Sequence, residues 1–318
     1  MKLSAILPVA RVLRRELAVT ALLLLGVSAV VFAVLYLAPG DPLSVLLEGQ
    51  SPRAQQAARE ALGVPQSWYG RYGAWLLSVL QGNFGNSIRT GLPVLPELAR
   101  VGVNTLYLTL GSLLLTLLIA VPIAVHAAVN GDTAGNTAAT VAAYVLSAVP
   151  VFWFGYIVVY VFIHKFGMFP LLSGTAAKQP HAWLYFLVPI FVLGTASGTL
   201  AELIRHLREE LSRVLAEDYI RTARAKGAPV WRHAFKEGFL IPVTEIMSAK
   251  IPYLLGGAVI VEQVFNWPGM GRMAWQAAQD RDFPVIMGIA LVAAAFVRAG
   301  NLLQRMVFTM VNPRASKE

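Results

Sequence analysis

Six stretches of this 318-residue chain, 17–38, 103–128, 138–163, 183–204, 239–261 and 284–308, stay apolar for about twenty residues or more and carry at most two charged side chains each. A hydrocarbon layer of roughly 30 Å takes about 20 helical residues to cross, so every one of them is long enough to span a bilayer. Within that layer no water meets a bare backbone group, and a helix satisfies its own N–H and C=O groups inside a single segment. The expected fold is an all-α polytopic membrane protein with six transmembrane helices. Composition agrees, with 57% apolar and only 14% charged residues, against roughly 25% charged in an ordinary soluble domain.

The first run, Leu17 to Ala38, follows Arg11, Arg14 and Arg15 and has the flanks of a secretory signal. It exceeds the 7–15 apolar residues of such a signal and is read as a retained first span. Lys and Arg near span ends set orientation. They gather in residues 1–16, in the 205–238 loop and in the 309–318 tail. With six spans these three segments share one side, which places both termini and the basic loop in the cytoplasm. The turn between the second and third spans belongs on that side too but has no Lys or Arg. On the other side lie 39–102, with aromatic Trp68, Tyr69, Tyr72 and Trp75 at the membrane surface, and 262–283. Prolines inside the runs, Pro122, Pro150, Pro189 and Pro252 among them, predict kinks rather than breaks in topology.

Residues for catalysis do not converge. The chain has no cysteine, hence no disulfide and no thiolate metal site. It has no Walker-type phosphate loop, G-x-S-x-G elbow or H-E-x-x-H pair, and its five histidines, His126, His164, His181, His206 and His233, share no helical i, i+3 or i+4 spacing. No enzyme, bound cofactor or metal is expected in this chain.

The segment 217–242, EDYIRTARAKGAPVWRHAFKEGFLIP, is the longest basic stretch between spans. Glu217 and Asp218 at one end and Arg224 and Lys226 at the other suit a helix dipole over 216–226. Gly227 suits the turn that ends this helix, and Pro229 the first turn of a second one. A compact two-helix element is expected, joined directly to the fourth and fifth spans. Such an element either fixes orientation as a solvated positive loop or passes motion from a cytoplasmic partner. Its tether at both ends to the bilayer argues against nucleic-acid binding.

DYIRTARAKGA, followed fifteen residues after Gly227 by Pro242 in FLIPV, resembles the EAA loop of ABC importer permeases of the dipeptide, oligopeptide and nickel group. YLAPGDPL (36–43), ALGVPQSWYGRY, GNFGNSI, SAVPVFWFG, FGMFPLLSG, LLGGAVIVEQVFNWPGMGR and DRDFPVIMG follow in the order of that group's landmarks, so the resemblance runs nearly end to end. It implies a bacterial inner-membrane subunit with its core permease domain at about 100–310. The implied partners are a second homologous permease, two cytoplasmic ATPases that carry ATP and Mg, and an extracytoplasmic solute-binding protein. Carried over residue by residue, the ATPase-coupling set is Asp218, Tyr219, Arg221, Ala223, Ala225, Lys226, Gly227 and Pro242. The solutes of the group are peptides, nickel or other metal chelates, opines and glutathione.

The chain departs from the family pattern at Glu237 and Gly238, where Asn-Ala is usual, at Gln304 and at Asn312. Glu245, Lys250 and Arg298 place charge inside the fifth and sixth spans, where relatives are expected to be uncharged. Lys250 and Arg298 lie about ten residues, or about 15 Å, from the cytoplasmic ends of their spans. Charge at that depth is costly, so these side chains are expected to pair or to line the translocation path. An ion-coupled secondary transporter is the alternative reading, but the paired internal repeats usual in such proteins are not evident.

Overall fold

The computed structural model describes residues 6–38, 67–131, 133–166, 182–196 and 198–311. These are helical almost throughout: α1 Ile6–Leu37, α2 Trp68–Leu80, α3 Val94–Asn130, α4 Ala134–Ala148, α5 Val151–Phe166, α6 Ala182–Ala196, α7 Thr199–Leu215, α8 Asp218–Ala225, α9 Val230–Ala234, α10 Ile241–Val264, α11 Met270–Gln279 and α12 Phe283–Val311. A six-residue π-helical stretch, Phe235–Leu240, joins α9 to α10. Among the described residues the only strand-like pairing is the bridge between Asn86 and Pro93. The landmarks at 36–43 and 166–174 fall largely outside these residues, and that at 61–72 falls half outside.

The chain forms two compact units, one of 1–102 with 273–298 and one of 103–272 with 299–318. In the first, α1 keeps Leu22 and Val30 outward, as suits a lipid-facing helix. Ser28 Oγ and Tyr72 Oη share a 2.9 Å hydrogen bond that ties α2 to α1. Residues 85–94 form a tight loop closed by Val94 N–H on the Gly85 carbonyl. The buried Asp282 carboxylate accepts from Ser87 Oγ and from the Arg89 N–H, anchoring that loop to the start of α12.

In the second unit the apolar core gathers Leu108 of α3, Val192 and Leu193 of α6, and Val261, Phe265 and Trp267 at the end of α10. Helices α3 and α6 approach closely because Gly194 has no side chain. A Cβ there would stand 2.9 Å from the Ser112 carbonyl oxygen. At the same place Thr116 Oγ1 donates to the Gly194 carbonyl at 2.9 Å. Small residues are what let helices meet in a bilayer, where water does not drive them together.

Two expected spans are not straight. Residues 138–163 fall on α4 and α5, which meet at 100°. Pro150 disfavours the helical conformation at the residue before it, and Val149 is extended at φ −80°, ψ 126°. The expected kink is thus a break between two helices. The fourth expected span, 183–204, is divided at Gly198, whose φ of +78° starts α7. Helix α7 then runs past the expected loop boundary to Leu215, burying Leu203, Leu207, Leu211 and Val214 on one face. Helices α1, α3 and α12 are long and apolar enough to cross a membrane, and each bent pair passes that test when taken as one span.

Substituting Val for Gly194 should drive α3 and α6 apart and cost about 1–3 kcal/mol, as overpacking does. Gly256→Ala, whose Cβ meets no atom within 4 Å, is the control. Thermal denaturation of the detergent-solubilised subunit should show a clear loss for the first and little for the second.

Candidate functional site

The basic segment folds as two short helices. Glu217, extended at φ −67°, ψ 147°, precedes α8, with Asp218 in its first turn and Arg224 in its last. The helix ends in a Schellman turn: Ala228 N–H donates to the Ala223 carbonyl at 2.9 Å and Gly227 N–H to the Arg224 carbonyl at 3.1 Å. That turn needs a left-handed residue, and Gly227 has φ +67°. Pro229 stands just before α9, one position earlier than expected, and its carbonyl accepts from Arg232 N–H at 3.1 Å.

One face of α8 is pinned and the other is open. Ile220 and Ala223 are buried, and Ile220 packs with Val214 of α7 and Ala234 of α9. Asp218, Tyr219, Arg221, Ala225, Lys226 and Gly227 are exposed. A Cβ on Gly227 would meet nothing within 4 Å, so the glycine answers to backbone conformation and leaves the surface flat. Trp231 and Phe235, 44% and 50% exposed, flank this face.

Two of the departures from the family pattern, Glu237 and Gly238, have local explanations. Glu237 accepts a 3.1 Å hydrogen bond from Tyr219 Oη, which ties α8 to the π-helical stretch. Partial burial of the phenol first, then this carboxylate, push Tyr219 above its ordinary range. The neutral phenol is favoured in the fold, so its contribution is intact below about pH 10 and is lost as pH rises beyond it. At Gly238 a Cβ would lie 3.1 Å from Leu211 Cδ2 and 3.3 Å from Val214 Cβ. Glycine relieves a tight contact between the π-helical stretch and α7.

Beside this element a cavity of about 380 Å³ is lined by His206, Glu210, Arg213, Glu237, Ile241, Pro242 and Glu245. Pro242 is buried at the start of α10, where its missing N–H costs no helical hydrogen bond. Arg213 bonds Glu210 at 2.6 Å. Exposed pairs of this kind contribute at most about 1 kcal/mol each. Among the described residues no group of three or more His, Asp or Glu could hold a metal ion.

The three charges expected within the spans fall on α10 and α12. Glu245 is exposed on the second turn of α10 and faces the cavity. Lys250 is in α10 by its backbone, and its side chain is outside what the structure describes. Arg298 is taken up within the chain: its guanidinium donates to Glu16 Oε2 at 2.9 Å and to Thr20 Oγ1 at 3.3 Å. The two side chains are 12% and 5% exposed. Glu16 adjoins the first run at a distance of 282 residues from Arg298, and no local pattern in the sequence connects them.

Residues 94–317 match the family described as the binding-protein-dependent transport system inner membrane component. This chain belongs to that family. The permease is 36% identical over 305 residues to the oligopeptide transport system permease protein AppB of Bacillus subtilis (strain 168), covering 92% of this chain and 95% of that one. It is 29% identical to the dipeptide transport system permease protein DppB of Alkalihalophilus pseudofirmus, covering 92% and 95%. To the glutathione transport system permease protein GsiC of Salmonella paratyphi A it is 32% identical, covering 95% and 97%. The expected resemblance to peptide importer permeases therefore holds over nearly the whole chain. Permeases of this kind are non-catalytic membrane subunits.

Glu262 and Thr105 are functional candidates that the sequence motifs do not single out. Glu262 is fully buried and accepts from Thr105 Oγ1 at 2.7 Å. Its local signal is an acid followed by glycines at 269 and 271.

Replacing Arg298 by Gln removes its ion pair with Glu16. Breaking a buried pair from one side costs about 3–5 kcal/mol, so the melting temperature of the solubilised permease should fall. The double variant Glu16→Gln/Arg298→Gln should recover most of that loss in the same assay.

Proposed function

We propose that this permease is half of the translocation path of an ATP-driven importer for di- and oligopeptides or a related solute. The six spans are α1, α3, α4 with α5, α6 with the start of α7, α10 and α12. Both termini and the 205–238 loop face the cytoplasm. A second homologous permease completes the path, and a solute-binding protein delivers the cargo. Two ATPase subunits bring ATP and Mg and dock on 217–242.

The observation that carries this reading is the two-helix element itself. Its inner face is fastened by Ile220 and Ala223, its outer face is open and basic, and its chain continues through the π-helical stretch straight into α10. A partner that grips α8 thereby acts on a spanning helix. A solvated loop that only set orientation would need neither the Schellman turn nor the buried Ile220.

The names of the similar permeases, oligopeptide, dipeptide and glutathione, support peptides as cargo. A nickel or other metal chelate is the competing cargo, and an ion-coupled secondary transporter is the competing mechanism. Within the path, Glu245 and Lys250 are proposed to face the solute. The bonds of Arg298 to Glu16 and Thr20 favour a structural role for that side chain.

Gly227→Val puts a β-branched residue at a left-handed position, at a local cost of about 1–2 kcal/mol. The variant should insert normally, yet ATP-dependent peptide uptake into proteoliposomes should fall at least about fivefold, with less ATPase recovered alongside the permease. Uptake at the full rate would sink the coupling role. Uptake that followed an ion gradient without ATP would favour the secondary transporter.

A further inference from the structure

Glu262 is 0% exposed, and no other carboxylate among the described residues is buried so completely. Its neighbours are donors. Thr105 Oγ1 donates to Oε1 at 2.7 Å and Arg272 N–H to Oε2 at 2.8 Å, and Gly271 N–H also points to the carboxylate. Thr105 Oγ1 in turn accepts from Met270 N–H at 2.7 Å. The first three N–H groups of α11, which have no partners within their own helix, are thus met by one carboxylate and one hydroxyl.

The surrounding sequence is shaped to admit that carboxylate. A Cβ at Gly269 would overlap it, and a Cβ at Gly271 would stand 2.6 Å from Val259 Cα. Asn104 and the loop hold each other on both sides: Asn104 Nδ2 donates to the Pro268 carbonyl at 2.8 Å, and Trp267 Nε1 donates to the Asn104 carbonyl at 3.1 Å. Below lie Phe265 and Trp267, packed into the core with Leu108 and Leu193. Two stretches remote in sequence, one turn of α3 and the corner where α10 turns into α11, are bolted together on polar and apolar sides at once.

Helix α10 runs from Ile241, next to the coupling element, to Val264, next to Glu262, unbroken through Pro252. At 1.5 Å per residue its length is about 36 Å. We propose that Glu262 and Thr105 act as positioning residues for transport. They clasp the outer end of α10 to α3 and α11, so that motion entering α10 at its inner end moves this extracytoplasmic corner as one body. The proposal rests on the importer reading for the source of that motion. A carboxylate suits the task because it only accepts, and every group that faces it donates. An amide in its place would turn a donor toward one of them.

The test uses the complete complex in proteoliposomes, with peptide uptake and ATP hydrolysis measured together, and compares Thr105→Val with Thr105→Ser. The two substitutions differ in keeping the hydroxyl. Valine should cut peptide moved per ATP hydrolysed by about tenfold while hydrolysis persists, the effect expected from a lost buried hydrogen bond, and serine should restore coupling. Hydrogen exchange in the same samples should rise over 265–275 in the valine variant and stay unchanged over 241–260. Equal coupling in the valine and serine variants would overturn the proposal, as would a fall of uptake and hydrolysis in strict proportion. ATP-independent uptake by the unmodified complex would count against the importer reading instead. The exchange comparison would still judge the clasp, because unchanged protection over 265–275 in Thr105→Val excludes it.

Discussion

A bilayer interior offers no water to a backbone N–H or C=O, so each segment inside it must close its own hydrogen bonds. That constraint decides the rest of this permease. It turns the apolar runs into helices and moves every irregular backbone segment to a place where other groups can satisfy it. The bend at Val149 and Pro150, the left-handed Gly198 and the loop 265–269 all sit between helices. At the last of these, side chains finish what the helix leaves undone: Thr105 and Glu262 take the free N–H groups of α11.

The same scarcity of water governs charge. Isolated ions at depth are costly, and the structure handles its buried carboxylates in distinct ways. Glu16 is met by the Arg298 cation on α12, and Glu262 by neutral donors at the positive end of a helix. Asp282 holds the 85–94 loop through Ser87 and Arg89 N–H. Each carboxylate joins segments far apart in sequence, so each is a fastening point as well as a solvation problem solved. The nonpolar contacts around them are less directional, and small residues such as Gly194 set how near the helices come.

The two-helix element of 218–234 differs in kind. Its energetics are local: a dipole-matched helix of eight residues, a glycine turn, and a few apolar side chains pressed on α7 and α9. What it adds is continuity. The outward face of α8 is free for a partner, and the chain reaches α10 with only the π-helical stretch between. Gly238 relieves a tight contact between that stretch and α7, and Glu237 ties it to Tyr219. Two departures from the family pattern are thus one local arrangement.

Much of this was legible because it is encoded at short range. Apolar runs of about twenty residues specify crossing helices whatever surrounds them, and Asp218, Arg224, Gly227 and Pro229 mark two short helices within a dozen residues. The order of motifs identified the permease family before any coordinate was known. Short-range signals are weakest where a proline predicts only a kink: Val149 leaves the helical region, and α4 and α5 part at 100°. Long-range pairing could not be read at all. Arg298 meets Glu16 across 282 residues and Glu262 meets Thr105 across 157, because a charge or hydroxyl in a spanning helix has no periodic partner to betray it. The sequence by itself determined which segments become helices and where the basic two-helix element lies, since backbone hydrogen bonding and helix-end chemistry are local. Only the tertiary structure decided which buried charges are neutralised and by what, since that depends on which helices touch.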